Sequence, residues 1–92
     1  MARRYDVRVT LVSQLKQCPN GHHVGDEWVV GRRTPGGMCL GAFNSLMPFL
    51  TALRYGGNFP WEQEGEATLC CPDPKVVNVF RLERLESSEP SD

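Results

Sequence analysis

The chain has 92 residues, 40% of them apolar, and a net charge of −1, which leaves room for one small domain without a strong charge preference. Basic residues are scattered apart from the pairs Arg3-Arg4 and Arg32-Arg33, so the clustered footprint of a nucleic-acid binder is excluded. No apolar run approaches the roughly 20 residues that cross a bilayer, and no membrane association is expected.

Tyr5 to Val12 alternates, with Val7, Val9 and Leu11 on one face and Asp6, Arg8 and Thr10 on the other. That period predicts a half-buried strand. The N-terminal residues enter it directly, without the apolar stretch of a secretory signal, and a cytoplasmic location is the expectation. A loop follows at Cys18-Pro19-Asn20-Gly21-His22-His23, then a turn at Val24-Gly25-Asp26. Glu27 to Val30 reads as a second strand, and Pro35-Gly36-Gly37 marks another loop.

Leu40 to Arg54 carries the helical period. Phe43, Met47, Leu50 and Arg54 share a stripe that Leu46, Phe49 and Leu53 widen, as in a helix laid on a sheet. Pro48 lies inside and removes one backbone hydrogen bond, which predicts a kink or a split into two short helices. Gly56-Gly57 supplies the stop. In the loop beyond, Trp61 is placed as a cap on the core. Glu66 to Cys71 is a short strand, with Ala67, Leu69 and Cys71 on one face. After the turn at Pro72-Asp73-Pro74, Val76 to Leu85 forms the last strand, with Val76, Phe80 and Leu82 inward. Residues 86–92 contain no apolar side chain and are expected to form a disordered tail on a single domain spanning 1–85. Strands with short connections around one helix predict an α+β domain with a small, mostly antiparallel four-stranded sheet.

All four cysteines and both histidines fall in three turn-rich segments around Cys18, Cys39 and Cys70-Cys71. A reducing compartment favours thiols or metal ligands over disulfides. Pro19 and Gly21 argue for a tight turn that folds the Cys18 sulfur and the His22 imidazole toward one centre. Cys18, His22, Cys39 and Cys71 would together give three sulfurs and one nitrogen, a tetrahedral set suited to zinc first and iron second. A closed shell of this kind predicts a binding or accessory module rather than a stand-alone enzyme. Cys70 points to the opposite strand face from Cys71 and is left out, and His23 is a spare. Packing is the competing explanation, since free cysteine is among the most buried residue types.

A second reading makes Cys39 a nucleophilic or redox thiol, with His22 or His23 as its base, because a helix N-terminus favours negative charge. A third is a structural oligomerisation module, with Trp61 and the helix at an interface with a second copy or another protein. Asp26 and Asp73 are expected to cap turns, and either would serve as a partner orienting His22.

Taken together, Cys18-x-x-Gly21-His22-x-Val24-Gly25-Asp26-Glu27, Gly37-x-Cys39, Leu53-Arg54-x-Gly56-Gly57-x-x-Pro60-Trp61 and Cys71-Pro72-Asp73 resemble a family of small prokaryotic proteins with no assigned activity. That family usually has Lys at the position of His23 and Pro at that of Leu40. The resemblance implies a shared site at Cys18, His22, Cys39 and Cys71, with neither His23 nor Cys70 obligatory.

Overall fold

The computed structural model describes residues 4–86. The elements run β1 (Val7–Ser13), β2 (Glu27–Val30), α1 (Leu40–Arg54), β3 (Glu66–Cys70) and β4 (Val79–Arg84). They form the expected α+β domain. The four strands lie in the order β2-β1-β4-β3, and every neighbouring pair is antiparallel. The predicted tail lies outside the described residues except for Glu86. No helix among the described residues is long and apolar enough to cross a membrane.

Alternation decides which face of the sheet is dry. Val7, Val9 and Leu11 of β1, Phe80 and Leu82 of β4 and Ala67 of β3 point to one side and are buried. The other side carries Arg8, Glu83, Arg81 and Glu66, joined by ion pairs of 3.2–3.5 Å. These pairs are partly exposed and contribute little individually; Val29, opposite Arg8, adds exposed apolar surface to the same face.

Helix α1 covers the apolar side with Ala42, Leu46, Leu50 and Leu53. This inward stripe is rotated slightly from the predicted one, so Met47 lies on the exposed flank. Arg54 ends the stripe. It is buried because its guanidinium donates to the Tyr5 carbonyl at 3.2 Å and pairs with Asp6 at 3.4 Å. The helix runs unbroken through Pro48 rather than splitting in two. Pro48 and Asn44, whose carbonyl loses its donor, are both on the exposed side, where water can serve that carbonyl.

The helix stops as Gly56-Gly57 predicts. The Gly56 N–H donates to the Leu53 carbonyl at 3.1 Å and that of Gly57 to Ala52 at 2.8 Å. This double bond pattern closes a helix on a left-handed residue, and Gly56 has φ of 89°. The Arg84 guanidinium locks the turn to β4 by donating to the carbonyls of Leu53 (3.2 Å) and Gly57 (2.7 Å) and to Asn58 Oδ1 (2.9 Å). The adjoining loop departs from expectation. Trp61 is 70% exposed and does not cap the core. It leans on Phe59, which in turn packs against Phe49, with ring centroids 5.4 and 5.2 Å apart. Trp28 of β2 packs on the core instead, 6.1 Å from the ring of Phe80.

Leu50→Asp is expected to cost at least about 4 kcal/mol, because it buries an unpaired carboxylate. A urea midpoint close to wild type would show that Leu50 does not face the sheet. Gly56→Ala should cost about 1–2 kcal/mol by forcing a side chain into the left-handed region, read as a lower midpoint with an unchanged slope.

Candidate functional site: three thiols at the entry of the helix

The loop after β1 makes two successive turns. Cys18 to Gly21 closes through a 3.0 Å bond from the Gly21 N–H to the Cys18 carbonyl, with Pro19 presetting the bend. His23 to Asp26 closes through the Asp26 N–H to the His23 carbonyl at 2.9 Å, and Gly25, at φ of 100°, takes the left-handed corner. Asp26 Oδ2 accepts the His23 N–H at 2.8 Å, so Asp26 does cap a turn. The segment after β3 forms the third loop. Asp73 Oδ1 accepts the N–H groups of Lys75 and Val76 at 2.9 and 3.4 Å, a side-chain cap of the predicted kind.

His22 lies between these loops, only 6% exposed. Its Nε2 accepts the Cys39 N–H at 3.0 Å. Accepting at Nε2 leaves the proton of the neutral ring on Nδ1. The ring stands edge-on to Trp28, with centroids 5.1 Å apart and planes at 77°. The His22 carbonyl accepts from Gln14 Nε2 at 2.9 Å, and the same nitrogen donates to Asn78 Oδ1 at 2.9 Å. Neither Asp26 nor Asp73 has a hydrogen bond to the imidazole; Cys39, Trp28 and Gln14 fix its position instead.

Cys39 is the N-cap residue of α1, with extended backbone and no side-chain capping bond. Cys71 is tied to Asn78 twice. Its N–H donates to the Asn78 carbonyl at 2.8 Å, and its Sγ accepts the Asn78 N–H at 3.4 Å. Between them Val77 adopts φ of 50°, unfavourable for a β-branched side chain. The chain tolerates that strain where it places Cys71 and Asn78.

Cys18, Cys39 and Cys71 line one open cavity of about 110 Å³. Its walls include Pro19, Pro72, Val76 and Asn78, while Gly41 and Ala42 come from the start of α1. Cys18 is buried, and Cys39 and Cys71 are partly exposed. Cys70 is exposed and does not line the cavity, as strand alternation predicts. All four thiols are free. Three of the four predicted ligands are thus brought to one cavity. The fourth, His22, is not among its lining residues; it supports Cys39 from behind through the backbone. Among the described residues, no group of three or more His, Cys, Asp or Glu side chains is arranged to hold a metal ion in this conformation. The His22 imidazole likewise engages the Cys39 amide rather than its thiol, so the predicted His22–Cys39 base–nucleophile pair is not formed.

Sequence reading missed Gln14 and Asn78. A signal for Asn78 was present: it shares parity with Val76, Phe80 and Leu82, so a polar side chain falls at an inward position. No comparable sign marks Gln14. No protein-family model, curated protein or solved structure matches the chain. The motif resemblance therefore rests on the quoted residues alone.

His22→Phe should preserve the ring packing but leave the Cys39 N–H without its acceptor, at a cost of about 1–3 kcal/mol. His22→Gln, which can accept again, should recover part of that loss. Equal stability of wild type and His22→Phe in urea would show that the bond does not hold the helix entry.

Proposed function

We propose that the protein is a small metal-binding module that holds a thiophilic ion, zinc first and iron second, on the thiolates of Cys18, Cys39 and Cys71. The observation that carries this reading is the delivery of three thiols from three separate loops to one cavity, while the neighbouring Cys70 stays outside. Thiolate is the donor such ions prefer. The reading asks the thiols to turn toward a common centre on binding, which couples metal affinity to local order. His22 keeps its Nε2 on the Cys39 amide and acts as a support. The fourth coordination position then falls to an exogenous donor.

The reactive-thiol reading ranks second. Its support is the uncapped helix entry beside Cys39, and its weakness is that His22 addresses the amide. A binding or accessory role follows from the leading reading, since nothing in the cavity pairs a nucleophile with a base.

Cobalt(II) added to reduced, chelator-treated protein should produce thiolate-to-metal charge-transfer absorption. Its intensity should fall in Cys18→Ser, Cys39→Ser and Cys71→Ser and persist in Cys70→Ser and His23→Lys. Zinc at about 100 times its Kd should stabilise the fold by about 2.7 kcal/mol. Absence of both the absorption and the stabilisation would overturn the metal reading. Selective alkylation of Cys39 in the metal-free protein would then favour the reactive thiol.

A further inference from the structure

The thiol cavity contains hydrogen-bond donors that neither the fold nor the metal reading uses. Asn78 is only 2% exposed. Its backbone N–H and carbonyl are both taken by Cys71. The orientation of its side-chain amide follows from Gln14. Gln14 Nε2 donates to the His22 carbonyl and must be the nitrogen; the Asn78 atom 2.9 Å from it must therefore be the acceptor, Oδ1. The Asn78 amide nitrogen is left on the other side. It has no hydrogen-bond partner among the described residues, yet no side-chain polar atom among them is both fully buried and unpaired. Nδ2 thus retains some access, and Asn78 lines the cavity.

The entry of α1 faces the same space. The Phe43 N–H closes the first turn onto the Cys39 carbonyl at 3.1 Å, and the Cys39 N–H is held by His22. The N–H groups of Gly41 and Ala42 have no acceptor among the described residues, and both residues line the cavity. The positive end of a helix of 15 residues and a buried amide donor therefore meet in one cavity.

We propose that this cavity has an oxyanion subsite, formed by the Gly41 and Ala42 N–H groups and Asn78 Nδ2, that takes the carboxylate of a small organic acid. The lining residues select the charge. None of them is Lys, Arg or His, and Asp73 is among them. Asp73 Oδ1 is turned onto the N–H groups of its own loop, but its charge still disfavours a dianion. With no cation to offset desolvation, a singly charged carboxylate suits the subsite better than phosphate. Pro19, Pro72, Val76 and Ala42 provide apolar walls for a short hydrocarbon portion.

The test is a titration of the reduced, chelator-treated full chain, isotope-labelled and followed by amide resonances, with sodium propionate. Propionate is expected to shift the backbone amides of Gly41 and Ala42 and the side-chain amide of Asn78 along one saturable curve. Propionamide, its neutral counterpart, should not. Asn78→Asp preserves an acceptor for Gln14 and replaces the donor by a second acceptor. It should weaken propionate binding at least about tenfold, the equivalent of one charge-assisted hydrogen bond. Should that variant fail to fold, the wild-type titration decides alone. Diffuse or non-saturating shifts, or equal shifts with propionamide, would overturn the subsite, and phosphate binding as tightly as propionate would overturn the carboxylate assignment. The metal reading is judged separately, on cobalt absorption and zinc stabilisation.

Discussion

The hydrogen bond from the Cys39 amide to His22 Nε2 ties the start of the only described helix to the loop leaving β1. A helix entry has four amides without internal acceptors, and here a buried ring rather than a capping side chain takes the N-cap N–H. The ring is useful for this because it is held on two other sides. Trp28 packs against it edge to face, and Gln14 holds the backbone carbonyl of the same residue. If the ring moved, Cys39 would lose its alignment with the other thiols of the cavity.

Gln14 extends this constraint to the third loop. One nitrogen bridges the His22 carbonyl and Asn78 Oδ1, and Asn78 in turn fixes Cys71 through its own backbone. Cys18, Cys39 and Cys71 come from loops distant in the sequence, yet a short chain of hydrogen bonds links the three loops. Such a buried network specifies position because any unmatched member carries a desolvation cost. The apolar core alone would not do this. Leu46, Leu50 and Leu53 hold the helix to the sheet, but apolar contact is non-directional.

A small domain has little core to spare. A chain of this size buries only about 60% of its unfolded surface, and here the outer sheet face is lined largely by charged and polar side chains, with Val29 exposed among them. The polar anchors at both ends of α1 therefore carry weight beyond their number. At the far end, Arg84 gathers two carbonyls and Asn58, and Arg54 is buried against Tyr5 and Asp6. The helix is thus fixed at its exit by guanidinium groups and at its entry by an imidazole, with the candidate site at the entry.

Local chemistry in the chain was sufficient for the elements themselves. Alternation at Val7, Val9 and Leu11 defined β1 and its inward face, because a strand's side-chain period is two. Gly56-Gly57 defined the helix stop, because only a residue tolerant of positive φ closes it in this way. The exclusion of Cys70 from the cavity also followed from strand parity. The sequence also contained the three thiols and the turns that carry them. Tertiary structure decided the rest. Pro48 did not divide the helix because its lost bond falls on the exposed side, and that depends on which face meets the sheet. Trp61 did not cap the core as expected, because burial is set by where a loop crosses the core. His22 lies behind the cavity on the Cys39 amide, and Gln14 and Asn78 became central, because hydrogen bonds between residues far apart in sequence form only when the fold brings them together, and no local period records that encounter.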